Sequence, residues 1–404
     1  MIFVAGFDPE EINPPVSYLI ERCPIIFASK RFHNNLPKTL EQRLHNIVPI
    51  DKMIQTLKNL PPSQDAIVLT SGDPLFFGIG RRLLKELPKE RLTFYPALTT
   101  VQKACARFTL PWDDMDFVSL HGKKGNGYQI LIEKIISKSP FKVAVFTDHK
   151  NPPNKIAKSL NKRGLEKARF LVAQDIGGPN EAFRDMSLKD TMDSSFHPLN
   201  LLIITGKHSR NGLGFGRPEA FFHHEKGLIT KPEIRSIVLS KLRLPSHGVM
   251  WDIGAGSGSV SMEASVISPG LEIFAIEKQQ SRCQHIAKNK KRFLGLNIEL
   301  VCAEAPQCLG KLPRPDRIFI GGGISSEGLI ETAWQYLKDE GILVTSIILL
   351  ESLQRTLNFF RSRGTAFELV QVGINRAKRL GQGTYLEPSP MISVVTVCKG
   401  EKAS

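Results

Sequence analysis

The chain has 404 residues, 41% hydrophobic and 23% charged, which excludes wholesale disorder and leaves room for two or three domains with their own cores. Lys and Arg number 54 against 39 Asp and Glu, a net charge of +15. That excess points to an anionic partner and leaves nucleic acid, anionic membrane and small polyanion open.

The position of the charge narrows this choice. Residues 1–200 carry 28 basic and 21 acidic side chains (+7), and residues 201–404 carry 26 and 18 (+8), so there is no basic tail. The densest run, Lys288, Lys290, Lys291 and Arg292, reads as the solvated end of a helix. Six cysteines, at 23, 105, 283, 302, 308 and 398, form no C-x-x-C pair. They predict reduced structural thiols, no metal site and a cytoplasmic protein. The opening MIFVAGFDPE reads as a strand, not as a signal peptide, and the longest apolar stretch, Ile342 to Leu350, is too short for a bilayer.

Apolar β-branched runs alternate with helical patterns throughout, which predicts α/β architecture with mostly parallel sheets. The first half offers strands at Ile2–Ala5, Ile25–Ala28, Ala66–Thr70, Arg91–Tyr95, Phe117–Ser119, Val143–Thr147, Ala168–Ala173 and Leu201–Thr205, with helices such as Thr99–Arg107 and Asn154–Lys162 between them. One strand delivers the string Leu69-Thr-Ser-Gly-Asp-Pro-Leu-Phe-Phe-Gly-Ile-Gly80. Ser71, Gly72 and Asp73 are candidate cofactor contacts: Gly72 permits close backbone approach, while Asp73 can equally cap the following helix, with Pro74 in its first turn. Thr99 and Thr100 open the next helix with two hydroxyls. Ser119-Leu-His-Gly122 ends a strand, and His121 reads as structural rather than catalytic.

These motifs together (SGDPLFFGIGR, PALTTVQ, WDD and VSLHG) resemble the CbiE-type tetrapyrrole methylase family over about 1–207. The resemblance implies two α/β lobes, S-adenosylmethionine between them, and methylation at C5 of a tetrapyrrole. The first-strand loop, Val4-Ala-Gly-Phe-Asp8, keeps one glycine of the family's V-G-I-G, and Ala28-Ser-Lys-Arg-Phe32 keeps Arg31 of its G-G-x-R-H.

Lys207–Gly216 (KHSRNGLGFG) has no apolar periodicity and predicts a linker. Seven strands follow, at Val249–Ile253, Ile273–Glu277, Ile298–Cys302, Arg317–Ile320, Ile342–Ile348, Phe367–Val372 and Ile392–Cys398. The clearest motif is VMWDIGAGSGSVSMEAS, Val249 to Ser265, a buried strand, a glycine loop and a helix. A dinucleotide fingerprint needs glycine at 259, where Ser259 stands. The G-x-G-x-G spacing of Gly254, Ala255, Gly256, Ser257 and Gly258 suits S-adenosylmethionine, which has no pyrophosphate to seat on the helix. Asp252 can face the cationic end of that cofactor, and Glu277, 23 residues after Gly254, can take both ribose hydroxyls. Ala303-Glu-Ala-Pro306 is placed to flank the adenine, and Gly321 and Gly322 leave room for a large flat substrate beside the methyl group. Glycines there, in place of D/N-P-P-Y/F, weigh against methylation of a base amine.

The strings ITKPEIR, WDIGAGSGS, AIEK, AEAP, PDRIFIGGG and LLES resemble the CbiT-type corrin methyltransferase family over about 226–404. The resemblance implies cofactor contacts at Thr230, Gly254 to Gly258, Glu277 and Ala305, methylation at C15, loss of CO2 from the ring C acetate, and a homotetramer. Both halves in this order resemble the fused, CobL-type family of decarboxylating precorrin-6B C5,15-methyltransferases, whose product is precorrin-8X of cobalamin biosynthesis.

The expected fold is therefore α/β, with an N-terminal two-lobed tetrapyrrole methylase fold (1–207), a linker (208–225) and a class I Rossmann-like seven-stranded methyltransferase domain (226–404). Its partners are S-adenosylmethionine and a small tetrapyrrole, with neither nucleic acid nor membrane. The meso carbons of a reduced corrinoid are enamine-like nucleophiles, so no catalytic triad is needed and no catalytic side chain is singled out. Arg376 and Arg379, with Lys378 between them, are candidates for the substrate carboxylates, an exposed basic loop being the competing reading. An RNA methyltransferase, favoured by net charge alone, a non-catalytic cofactor-binding scaffold, and a cobalt-containing substrate stay open.

Overall fold

The computed structural model describes residues 1–9, 13–120, 127–208, 215–225 and 227–402. His121 and Gly122, and residues 209–214 of the expected linker, lie outside the described residues. By contact the chain divides into two compact units, one of Met1–Gly122, Ala144–Asn154 and Arg169–Ile204, the other of Lys123–Val143, Lys155–Ala168 and Thr205–Ser404.

The first half of the chain contributes β1 (Ile2–Gly6), β2 (Ile25–Ala28), β3 (Leu44–Asn46), β4 (Ala66–Thr70), β5 (Leu92–Tyr95), β6 (Asp116–Ser119), β7 (Phe141–Phe146), β8 (Arg169–Gln174), β9 (Ala182–Ser187) and β10 (Asn200–Gly206). They form two five-stranded sheets, β3-β2-β4-β1-β5 and β6-β7-β10-β8-β9. In the first sheet β1 pairs in parallel with β4 and β5. Ile67 and Leu69 of β4 enter one core with Ile26 and Phe7, while Ala66 and Val68 enter another with Val4 and Phe27. Both faces are covered, which is why these strands read as unbroken apolar runs.

The second half supplies β11 (His247–Ile253), β12 (Gly270–Glu277), β13 (Ile298–Cys302), β14 (Arg317–Ile320), β15 (Ile342–Ile347), β16 (Glu368–Val372), β17 (Asn375–Leu380), β18 (Gly383–Pro388) and β19 (Ile392–Cys398). Seven of them make one sheet, β13-β12-β11-β14-β15-β19-β16, with β19 antiparallel to β15 and β16. All seven strands read from sequence are present. Met250 of β11 faces one core and Trp251 the other, its indole donating to the Pro313 carbonyl at 3.1 Å. The chain leaves β11 towards β12 on one side and β14 lies on the other, so the carboxyl end of β11 is the topological switch point where open α/β sheets bind ligands.

Three features differ from the sequence expectation. The stretch around Arg376, for which an exposed loop is the competing reading, is strand β17 of an unexpected hairpin with β18, exposed along its length. The edge strands β3 and β9 were not anticipated either. Lastly, Cys283 and Cys302 are bonded, with Cα atoms 6.1 Å apart, rather than reduced. Cys302 pairs in register with Glu277, and the helix Gln280–Arg292 begins three residues beyond that acid, which lays its first turn over the strand ends. Cys23, Cys105, Cys308 and Cys398 are free thiols. Among the described residues no helix is long and apolar enough to cross a membrane.

Candidate functional site

The glycine loop of the second unit is built by backbone bonds before any side chain acts. Gly254 and Ala255 both donate to the Ile276 carbonyl, at 2.9 and 3.0 Å, which folds the end of β11 against the end of β12. Gly254, Gly256 and Gly258 have φ of 67°, 59° and 72°, a region costly for other residues. At Gly254 the constraint is also spatial, since a Cβ would stand 2.7 Å from the Gly322 carbonyl oxygen. Gly321 donates to the Ile253 carbonyl at 2.9 Å, so the loops after β11 and β14 pack backbone to backbone. Part of the reason for Gly322 is thus this packing, beside the room it leaves for a substrate. A Cβ at Gly256 would meet nothing within 4 Å, so that position faces open space.

Glu277 ends β12 and is 4% exposed. One carboxylate oxygen accepts from the Gly256 amide at 2.9 Å and the other from the Gln279 amide at 3.0 Å. Each oxygen keeps a lone pair, so the acid can shape the loop and still accept two hydroxyl donors. Ala303 donates to the Glu277 carbonyl at 3.1 Å, bringing the turn with Ala305 beside the acid.

Asp252, 1% exposed, lies on the Met250 face of β11. Its Oδ2 accepts from the Ser261 hydroxyl at 2.6 Å and the Ser261 amide at 3.1 Å, tying strand to helix Ser259–Ile267. Oδ1 is buried with no hydrogen-bond partner, as is the Ser257 hydroxyl. Burial, helped by the nearby Glu277 charge and opposed by Ser261, pushes the Asp252 carboxyl up to about 6. The unfolded chain therefore releases this proton first, and the stability it confers is lost as pH rises from the ordinary carboxylate value to about 6. Asp252→Asn is expected to remove that slope, making the apo protein up to about 3 kcal/mol more stable than wild type at pH 7 while matching it near pH 4. Urea unfolding at both pH values checks this; parallel profiles would refute it.

Sequence reasoning missed the buried frame behind the loop. Arg235 is fully buried, and its Nε lies 2.9 Å from Glu263, itself 1% exposed. Its Nη1 donates to the Thr230 carbonyl at 2.7 Å, its Nη2 to the Arg217 carbonyl, and its guanidinium lies 4.8 Å over the Phe222 ring. Glu263 also accepts from the Gly216 and Arg217 amides, both at 2.9 Å. Asn289, also fully buried, donates to the Ser257 carbonyl at 2.9 Å and brackets the His223 backbone from both sides. Thr230 is thus held against the helix Pro232–Leu242, and Ser257 against Gln280–Arg292. Glu263, the one charge in the helix Ser259–Ile267, is the available signal; Arg235 and Asn289 lie among other polar residues of their helices and give none.

Arg376 and Arg379 do not form one clamp. Successive strand residues alternate faces, so they point to opposite sides of β17. Arg376 pairs with Glu233 at 2.8 Å, and Lys378 pairs with Glu387 at 2.6 Å.

In the first unit the candidates also converge on one sheet edge. A Cβ on Gly6 would stand 2.1 Å from the Gly72 carbonyl oxygen, and one on Gly72 would stand 3.2 Å from the Thr99 Cα. The ends of β1, β4 and β5 therefore touch, with Ser71, Asp73 and Thr100 in the same loops. Asp73 does not cap a helix as one reading expected: its Oδ1 accepts from the Leu75 amide at 2.8 Å, closing a turn, and the helix starts only at Gly80. Thr99 caps the helix Thr100–Arg107 in a reciprocal pair with Gln102.

Strand order, glycine loop and terminal acid define a Rossmann-like methyltransferase domain, preceded in the chain by a second α/β methylase. Comparison with known proteins agrees with both parts. Residues 6–191 match the model of tetrapyrrole (corrin/porphyrin) methylases, and residues 220–399 match that of the precorrin methyltransferase domain. A precorrin-6Y C(5,15)-methyltransferase [decarboxylating] of Sinorhizobium sp is 29% identical over 387 residues, covering 95% of this chain and 92% of the relative. A probable cobalt-precorrin-6B C(15)-methyltransferase (decarboxylating) of Pyrobaculum aerophilum is 38% identical over 186 residues, 45% of this chain and 94% of the relative. A solved structure described as precorrin-6y C5,15-methyltransferase from Geobacter metallireducens is 39% identical, covers 46% of this chain and 97% of its own, and has a TM-score of 0.44. The chain belongs to the decarboxylating precorrin methyltransferase family, in the form that carries a tetrapyrrole methylase at its N-terminal side.

Proposed function

We propose that the chain methylates a reduced precorrin at C5 with its first half and at C15 with its second, where the ring C acetate also leaves as CO2. The substrate is precorrin-6B in the sequence expectation and precorrin-6Y in the full-length relative's name. The observation that carries the reading is the likeness to that relative across both halves, with a built site in each. Residues 1–207 and 226–404 are the proposed domains.

The residues of the second unit fit S-adenosylmethionine. Gly256 opens on free space, Glu277 keeps lone pairs for a ribose, and the orphaned Asp252 oxygen and Ser257 hydroxyl are buried groups that lack donors or acceptors. When bound, that cofactor supplies the electrophilic methyl group. The chain's own work is to position: the Arg235–Glu263 frame fixes the backbone at Thr230, Asn289 holds the glycine loop at Ser257, and proximity can contribute several kcal/mol. Decarboxylation draws on the conjugation of the macrocycle itself, aided by exclusion of water around the carboxylate. The reading includes a cytoplasmic, homo-oligomeric enzyme. The cobalt-precorrin name of the 38% identical relative favours a second reading in which the ring already holds cobalt.

Gly254→Val tests the division of labour. The added side chain meets the Gly322 backbone, so C15 methylation and CO2 loss should both vanish while C5 methylation persists. Carbon-13 spectra of the product from labelled cofactor, run with metal-free and cobalt substrates in parallel, report each position. Loss of both methyl signals, or of neither, would sink the assignment.

A further inference from the structure

The loop after β4 wraps around one carbonyl. Gly80 donates to the Pro74 oxygen at 2.9 Å, and a Cβ on Gly78 would stand 2.5 Å from the same atom. Two consecutive phenylalanines follow in this curl, their rings 5.1 Å apart and nearly perpendicular. Phe76 packs inward, its ring 5.0 Å from Phe117 and 6.0 Å from Phe146. Phe77 stays 45% exposed, with its ring 4.9 Å from Phe146.

Phe77 also has a φ of 53°, where glycine or asparagine is tolerated and a bulky residue is strained. Burial does not offset that strain, because nearly half the side chain faces solvent. Leu75 and Leu98 are exposed too, at 48% and 51%. They belong to the loops after β4 and β5, which touch at Gly72, where an added Cβ would stand 3.5 Å from the Leu98 carbonyl oxygen. These are the loops of Ser71, Asp73, Thr99 and Thr100. Beyond β2, the neighbour of β4, Arg31 lies 4.6 Å over the Phe32 ring. Surrounding protein lowers its pKa, with Asp175 acting in the opposite direction.

A flat apolar surface with a cation at the same sheet edge matches a planar ring bearing peripheral carboxylates. We infer that Phe77, flanked by Leu75 and Leu98, is the platform on which the tetrapyrrole macrocycle lies for methylation at C5, with Arg31 serving its carboxylates. This rests on the C5 assignment above. A phenyl ring held by Phe76 and Phe146 with its remaining surface exposed stacks a planar ligand at little further entropic cost.

The test uses the full chain and one substrate. Phe77→Ala and Phe77→Gly should raise KM for C5 transfer about tenfold, leave C15 transfer unchanged, and be rescued by Phe77→Trp. Thermal unfolding should show no loss in Phe77→Gly, because glycine accepts the left-handed backbone. Unchanged KM, or a C5 loss that only tracks a fall in Tm, would overturn the platform. Should the wild-type chain add no methyl at C5, the parent reading fails separately. Tetrapyrrole titration then decides: Phe77→Ala must lose one class of sites, and an unchanged titration overturns the inference.

Discussion

Replacing Glu277 with Ala is expected to cut C15 methylation by at least about a hundredfold in kcat/KM while leaving C5 methylation intact. The carboxylate accepts from the Gly256 and Gln279 amides and, on the proposed reading, from the ribose as well. Hydrogen bonds to a charged acceptor contribute about 1.5–3 kcal/mol each, and about 1.4 kcal/mol is a factor of ten. Losing two of them in a buried loop leaves both amides orphaned and frees Gly256 from its place. Glu277→Gln keeps one acceptor, so a smaller loss, expressed mainly in KM for the cofactor, is expected. Product analysis by mass should show one methyl gain and no CO2 loss for Glu277→Ala; normal product at a normal rate would remove this residue from the site.

The second large effect is on stability. Arg235→Ala removes the only ion-pair partner found for Glu263 among the described residues, at a position where both are about fully buried. Breaking such a pair typically costs about 3–5 kcal/mol, because the surviving charge is left desolvated. The Thr230 and Arg217 carbonyls lose their donor in the same step. Replacing both partners with apolar residues, as in Arg235→Met with Glu263→Leu, should cost less than Arg235→Ala alone, although the Gly216 and Arg217 amides then lose an acceptor. Urea unfolding of the single and double variants measures the coupling. Strict additivity would mean that the two side chains do not act as a pair.

What could be read from sequence follows burial. Strands with a covered face, such as Ala66–Thr70 and Arg317–Ile320, carry apolar runs and were located to within a residue. The glycine loop and Glu277 were legible because backbone strain and a strand-terminal acid leave marks at fixed spacing. The β17–β18 hairpin leaves none: nothing on β17 is buried, so no alternation records its faces, and the strand that carries Arg376 is not legible. Arg235 and Glu263 stand 28 positions apart, and only the fold brings them within 2.9 Å. The Cys283–Cys302 link likewise depends on a helix turning back over the strand ends. Asp73 shows the opposite limit, a residue with cap-like chemistry whose helix starts six residues later than its spacing implies.

One chain performing two methylations on one substrate is the central claim. The most direct measurement is the mass of the product formed from the metal-free and the cobalt-containing precorrin with the methyl donor and the intact protein. A product heavier by two methyl groups and lighter by one CO2 is predicted for one of the two substrates. A product with a single methyl gain, or unchanged precorrin from both, would contradict it.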